Sequence, residues 1–529
     1  MQKYDNRTKQ TLLHRHNLKL KLVIQSILVG IITGMLIVAY RLILTQAGKI
    51  TYYVIDYGKQ STIYAVMWFA VLIIIAIIIN YMMHKVPLIK GSGIPQVEGF
   101  LARKMDMSWA KVLICKFTGG ILAIGSGLSL GREGPSIQLG AAVGKGVSEL
   151  FNRKKLEEKF LVTGGASAGL AAAFNAPLAG VMFSLEELHK NFSPVVLITA
   201  LTASVTADFV AKSFIGLNSA FDFTGLKPLP LNYYPYILIL GIIVGIFGAF
   251  YNSTLLKTQK YYNKKTWIPS KYKKFIPFIF AGILMFILPE VLGGGHALVE
   301  KLSVGNYTIK FLLVLLCIKF IFSMISYGSG APGGIFLPLL VLGALTGNIY
   351  ADILHMYFGF NEIFVQNMII LAMAGYFTAI VRAPITGCIL VSEMSGSLTH
   401  LLSLAFISII AYIVAELLNS EPIYESLLEV MIRNKSHKYK SDADTKVIIE
   451  NVVCLGSRAE GKMIREIDWP EKCLIVGVKR GNTELIPKGE TILQIGDYLI
   501  TLTDEIIASV ASTELSKITE VSFEGKNLY

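Results

Sequence analysis

The residues of this chain best suited to chemistry lie inside hydrophobic sequence. The segment Gly125-Ser-Gly-Leu-Ser-Leu-Gly-Arg-Glu-Gly-Pro135 sets Arg132 and Glu133 among four glycines. Its skeleton, G-S-G-x3-G-x3-P, returns as Gly328-Ser-Gly-Ala-Pro-Gly-Gly-Ile-Phe-Leu-Pro338. A third segment, Gly91-Ser-Gly-Ile-Pro95, shares the grammar: glycines followed within a few residues by a proline that can open a helix. Glycine leaves the neighbouring backbone N–H groups open to a ligand. A helix N-terminus carries about half a positive charge and unpaired donors, so it attracts anions. A bare anion in a low-dielectric interior costs on the order of tens of kcal/mol. Several helix starts aimed at one point can offset that without a fixed full charge. One such motif alone would be read as close helix packing through small residues. Three of them, two related by repetition, favour an anion site.

The charged residues nearby suggest roles around such a site. An ionised Glu133 resembles the anion and can occupy the same donors. Protonated, it loses that attraction and swings away, which couples one proton to one anion position. For this to work near neutral pH, its ordinary pKa of about 4.3 must respond to burial and to the anion. The alternative is a buried ion pair with Arg132. Glu186 and Glu187 end the apolar run 176–185. Acids within membrane sequence are candidates for proton relays, with helix-end solvation as the plainer reading. Lys116 and Lys319 are single cations at matched repeat positions. They are expected to raise the potential along an anion path, or to pair with acids. Glu98, in Gln96-Val-Glu-Gly99, is expected to be a buried partner for Arg132.

A duplicated frame must position these residues. At an offset of 203, residues 116–135 and 319–338 share seven identities in twenty positions, where chance gives about one. Further on the offset is 207: Asn175-Ala-Pro-Leu-Ala-Gly180 matches Arg382-Ala-Pro-Ile-Thr-Gly387, and Glu186 matches Glu393. Duplication in a membrane protein favours a transporter fold with substrate near the midplane between the repeats. From these offsets alone the halves are equally compatible with a parallel and an inverted relation.

Composition agrees with this frame. The 529 residues are 53% hydrophobic and only 16% charged, with a mean hydropathy of +0.57. That excludes a soluble domain and implies an all-α polytopic membrane protein. The expected organisation is a basic helical arm (1–21), a membrane domain (22–436, with halves 22–215 and 232–436), a polar linker (437–445) and a small α/β domain (446–529). In the last, 447–453, 473–478, 491–495 and 498–502 read as short strands. The first apolar run is read as a retained helix, because no convincing cleavage site follows its basic flank. The net charge of +13 is explained by topology rather than by a nucleic-acid partner. Basic residues gather in the N-terminal arm, in 153–159, in 257–274 and in 433–440. The loops 216–233 and 358–364 are poor in them. This positive-inside asymmetry predicts that both termini are cytoplasmic. Cys115, Cys317, Cys388, Cys454 and Cys473 lack metal-binding spacing and read as thiols in a reducing compartment. No metal and no cofactor is expected.

Taken together, Gly91–Gly99, Gly131–Pro135, Gly333–Pro338 and Glu421-Pro-Ile-Tyr424 resemble the CLC family of chloride channels and chloride/proton exchangers, over about residues 20–436. The resemblance implies an inverted repeat, a homodimer and one anion path per subunit. It implies that Ser92 and Tyr424 hold chloride through their hydroxyls, and Ile335 and Phe336 through backbone amides. It also implies that Glu133 is the external gate and Glu187 the internal proton-transfer acid, with Glu186 preceding it as in bacterial relatives. Serine at 92 is similar to the family's chloride-type choice. Gln96 departs from relatives that carry an acid there, with little expected effect. The tail resembles a TrkA-C regulatory domain through Gly456-Ser-Arg-Ala-Glu-Gly461, Lys479-Arg-Gly-Asn482, Ile486-Pro-Lys-Gly489 and Gly496-Asp497. Such domains dimerise and often bind small effectors, for example a cyclic dinucleotide. The expectation is therefore a chloride/proton antiporter of the inner membrane. Its rivals are a passive voltage- or pH-gated chloride channel of the same fold, a membrane-bound receptor and, distantly, an intramembrane enzyme.

Overall fold

The computed structural model describes residues 2–190, 192–217, 219–221, 223, 225–263, 270–304, 307–436, 446–481, 483–504 and 508–520. The expected linker, 437–445, lies outside them. The chain divides into two units, Met1–Ile432 and Arg433–Tyr529.

In the first unit, seven helices among the described residues are long and apolar enough to cross a membrane. Helix α1 (Gln2–Gln60) is one continuous element, so the expected arm and first span are not separate. Good helix formers run through both, and no proline occurs before Pro87. The helices that position the site follow in chain order: α2 (Ile94–Leu101), α3 (Trp109–Gly125), α4 (Glu133–Leu150), α5 (Lys155–Phe174) and α6 (Pro177–Phe183). The counterparts of α2, α3, α4 and α6 in the second half are α7 (His296–Val304), α8 (Ile309–Gly328), α9 (Phe336–Phe358) and α10 (Pro384–Met394), with the helix Val365–Val381 answering to α5, and α11 (Ile423–Ser436) closes the unit. Each expected helix start is realised. Gly93, at φ +101°, opens α2 with Pro95 in its first turn. Glu133 and Phe336 are the first residues of α4 and α9. Helices α4 and α5 meet backbone to backbone: a Cβ at Gly140 would collide with the Gly165 carbonyl, and one at Gly144 with that of Leu161. Small residues permit this approach where no solvent drives helices together.

The repeat is visible as paired bonds. Gly91 N–H donates to Gly330 O at 3.0 Å, and the equivalent Gly293 N–H donates to Gly127 O at 2.9 Å. Gly131 and Gly334 exchange two bonds of 2.7 Å in an antiparallel bridge. Equivalent segments thus run in opposite directions where they meet, as an inverted pair does.

The second unit holds a four-stranded antiparallel sheet in the order β1-β4-β2-β3: β1 (Lys446–Val452), β2 (Leu474–Arg480), β3 (Thr483–Leu485) and β4 (Tyr498–Asp504). Helix α12 (Ala508–Thr519) follows. The expected strand 491–495 is not in the sheet. Its backbone bonds instead to the loop before it, through Ile464 N–H to Thr491 O and Leu493 N–H to Lys462 O. Sheet position β3 goes to 483–485, which sequence reading did not mark. Val453, Ala459, Val478, Leu493 and Leu499 form the core. Asp497, buried just before β4, accepts two bonds from Arg480 (2.8 and 2.7 Å) and one from Gln494 N–H (2.8 Å). Burial pushes its carboxyl up, but these donors outweigh burial and hold it below the usual carboxylate range.

Candidate ion site

The Gly131–Gly334 bridge sets the starts of α4 and α9 face to face. Glu133, the first residue of α4, is fully buried. Its neighbour Arg132 places Nε 3.8 Å from Oε1, too far for a hydrogen bond. Neither carboxylate oxygen has a hydrogen-bond partner among the described residues. The backbone N–H groups of Glu133 and Leu337 act on it without reaching full hydrogen-bond geometry. A Cβ at Gly131 would collide with the Glu133 carboxylate, so the fold leaves this acid room.

Ser92 sits against the same helix start: a Cβ at Gly134 would collide with Ser92 Oγ, and would also meet Gly334 Cα at 3.2 Å. Ile335 precedes α9 and Phe336 begins it. The Phe336 ring lies 6.1 Å from Phe183, and Phe183 lies 6.4 Å edge-on from Tyr424, in the first turn of α11. Ser92, Ile335, Phe336 and Tyr424 are all buried. The Ser92 and Tyr424 hydroxyls have no partner among the described residues. Two free hydroxyls, helix starts from α2, α4 and α9, and aromatic edges, which are electropositive, therefore converge. Such a set can hold a dehydrated anion without a full positive charge in contact with it.

The two adjacent acids divide. After α6 the chain widens into a π-helical turn, Ser184–Leu188, a form that recurs at functional sites. Glu186 caps α10, accepting from Ile385 N–H (3.2 Å), Thr386 N–H (2.8 Å) and Thr386 Oγ1 (2.7 Å). Its repeat counterpart Glu393 caps α6 in return, accepting from Leu178 N–H (3.1 Å) and Ala179 N–H (2.7 Å). Glu187 is buried, and its Oε1 has no partner among the described residues. Tyr424 lies within electrostatic reach of both Glu187 and Glu133.

Two expectations need correction. Glu98 does not pair with Arg132. It lies near the far end of α2 and bonds to Lys190 at 2.9 Å, whereas Arg132 caps α4 and reaches Ala173 O at 3.5 Å. Of the two readings given for Lys116 and Lys319, pairing with acids is removed: among the described residues they bond to carbonyls instead. Lys116 Nζ donates to Ile89 O (3.0 Å) and Gly91 O (2.6 Å), and Lys319 Nζ to Val291 O (2.9 Å) and Gly293 O (2.7 Å). Each buried ammonium pins the loop that opens α2 or α7.

Three features escaped sequence reading. The fourth helix start, Gly293-Gly-Gly-His296, lacks the proline that marked the others. With Arg132 it lines a cavity of about 340 Å³. Arg41, a lone cation in the first apolar run, donates to Ala172 O (2.8 Å) and Asn175 Oδ1 (2.6 Å), within electrostatic reach of Glu133. The rule that singled out Lys116 would have found it. Lys190 bonds to both Glu98 and Glu425, and only the acids before it hinted at its place.

A helical membrane protein built on an inverted repeat, with a candidate ion site between its halves, has the architecture of a transport protein. The profile of the voltage gated chloride channel (CLC) family matches residues 75–416, and the chain belongs to that family. The TrkA-C domain profile matches residues 449–505. The H(+)/Cl(-) exchange transporter ClcA of Vibrio parahaemolyticus serotype O3:K6 is 35% identical over 381 residues, which are 70% of this chain and 81% of that protein. The crystal structure of a slow cyanobacterial Cl-/H+ antiporter superposes with a TM-score of 0.75 at 30% identity, covering 78% of this chain and 99% of the other. A eukaryotic CLC transporter shares the fold, with a TM-score of 0.65 at 20% identity over 78% of this chain and 74% of the other. The protein is a transporter and not an enzyme.

Proposed function

We propose that this protein exchanges chloride for protons across the membrane. The observation that carries the reading is a pair of buried acids, Glu133 and Glu187, near the hydroxyls of Ser92 and Tyr424; both oxygens of Glu133, Oε1 of Glu187 and the two hydroxyls have no partner among the described residues. In this mechanism chloride lies between those hydroxyls and the backbone N–H groups of Ile335 and Phe336. Ionised Glu133 competes for the same helix-start donors. Protonated, it withdraws and the anion advances. Glu187 passes the proton to and from the inner side. Arg132 and Arg41 keep the surroundings of Glu133 electropositive, while Lys116 and Lys319 hold the loops in place. The names of the relatives support exchange over passive conduction.

By the same reasoning the protein resides in the inner membrane as a homodimer with both termini cytoplasmic. Residues 446–529 form a regulatory domain that takes a small effector such as a cyclic dinucleotide, with no nucleic-acid partner. The test uses purified protein in liposomes carrying chloride and proton gradients. A reversal potential that moves with the pH gradient is expected. One that ignores it makes the protein a chloride channel. Glu133→Gln, which cannot titrate, should abolish proton coupling while the fold stays intact. Coupling that survives unchanged removes Glu133 as the gate.

A further inference from the structure

Lys190 is placed differently from every other cation described here. It follows the π-helical turn that carries Glu187, and its backbone is left-handed, at φ +52°. Its ammonium bonds to Glu98 Oε1 at 2.9 Å and also to Glu425. Glu98 lies on α2, the helix opened by the Ser92 segment. Glu425 follows Tyr424 in the first turn of α11. One side chain therefore ties together the two elements that bear the free hydroxyls. Exposure is graded across the cluster: the side chains of Glu425 and Lys190 are 46% and 39% exposed and that of Glu98 is 9% exposed, while Glu187 is buried. The cluster spans the interval between solvent and Glu187.

The charges that face one another here are the carboxylates of Glu98, Glu186, Glu187 and Glu425 and the ammonium of Lys190, with Lys104 within reach of Glu98. Glu186 is already held by the N–H groups that begin α10. That leaves three acids around one bridging cation. An exposed pair on a smooth surface contributes little. A cation shared by two acids on separate helices beside a third, buried acid sets the local field, since opposite charges favour the ionised form.

We propose that Lys190 is a positioning residue for proton exchange at Glu187: its bridge to Glu98 and Glu425 closes α2 against α11 and supplies the counter-charge that lets Glu187 release its proton. In that step the proton leaves the Glu187 carboxyl for water at the inner mouth, and the carboxylate left behind faces Lys190. Without the ammonium it faces the carboxylates of Glu98 and Glu425 uncompensated by Lys190, and release slows. The proposal rests on the exchange reading above.

The experiment measures proton and chloride flux together in liposomes holding the full chain. Lys190→Met should cut proton flux about ten-fold, the factor that one unit of proton affinity carries, with chloride flux falling by less, so protons moved per chloride fall. Lys190→Arg keeps the charge and should keep the ratio. Adding Glu425→Gln to Lys190→Met removes one of the repelling carboxylates and should recover part of the proton flux, which a purely structural loss would not allow. If Lys190→Met does not fold, Lys190→Gln carries the same expectation. A wild-type ratio of protons to chloride in the charge-free variants overturns the proposal and leaves the exchange reading standing. A wild-type protein that moves chloride without protons overturns both.

Discussion

The two halves of the membrane unit share a frame and differ in a few side chains. Lys116 and Lys319 hold equivalent loops by equivalent carbonyls, and Glu186 and Glu393 cap each other's helices. These symmetric residues are satisfied: each buried charge has partners at bonding distance. Among the described residues, the buried groups with an unpartnered polar atom include three that break the symmetry. Glu133 stands where the second half has Phe336, Ser92 where it has Gly294, and Glu187 where it has Met394. A buried polar group without a partner destabilises a fold, so it persists for a reason other than packing. The symmetric set builds the frame, and the asymmetric set, as proposed, binds the anion and carries the proton.

The largest expected effect tests that division directly. Glu187→Gln should lower proton flux by about 100-fold or more, the usual scale for removing a proton-transfer group, while chloride still crosses. Its symmetric neighbour offers the contrast: Glu393→Gln should leave the ratio of protons to chloride as it was. Ion-selective electrodes on the same liposomes read both fluxes. Equal loss of coupling in the two variants would erase the distinction.

An intermediate effect separates the two lysines. Lys116→Met frees the carbonyls of Ile89 and Gly91, and Ser92 follows directly in the chain. Lys319→Met frees those of Val291 and Gly293, where the next residue is Gly294 and bears no hydroxyl. Both variants should be less stable, at about 1–3 kcal/mol per buried carbonyl left unpaired: Val291 O and Gly293 O in Lys319→Met, but only Ile89 O in Lys116→Met, because Gly91 O still accepts from Gly333 N–H at 3.0 Å. Only Lys116→Met should also weaken chloride binding, by about ten-fold, because only there does a ligand side chain lose its support. Isothermal titration of chloride into detergent-solubilised protein distinguishes them. A matching loss in Lys319→Met would mean that the Gly293–His296 start also binds the anion.

The same division explains what was legible in the sequence. The starts of α2, α4 and α9 could be read because glycine and proline mark them locally and because the motif repeats. The start of α7 repeats in space but not in letters, since Gly293-Gly-Gly-His296 shares the loop geometry of Gly91-Ser-Gly-Ile94 without its proline. The pairings of Glu98 with Lys190, and of Glu186 with the N–H groups of α10, join residues about 90 and 200 positions apart. No local pattern encodes such contacts. The composition of 184–188 also gives no cue to its π-helical turn. In the tail, residues 491–495 have the apolar content of a strand, but their backbone is claimed by the loop at 461–464.

The smallest expected effect concerns the two caps. Glu186 and Glu393 each accept two backbone N–H groups at a helix start, where the free donors and the dipole both favour a carboxylate. Glutamine keeps one accepting oxygen and turns an NH2 group toward donors, so one bond is lost and the charge with it. Each single change should lower thermal stability by an amount equivalent to about 1–2 kcal/mol. Glu186→Gln should be slightly the worse of the two, because Glu186 also accepts from Thr386 Oγ1. The caps span the two halves in opposite directions and share no atoms, so the double variant should lose close to the sum. Melting in detergent, followed by tryptophan fluorescence, measures all three. A double variant no worse than either single would show that the caps act as one unit, and that the symmetry between the halves is a coupled structure rather than two copies of the same contact.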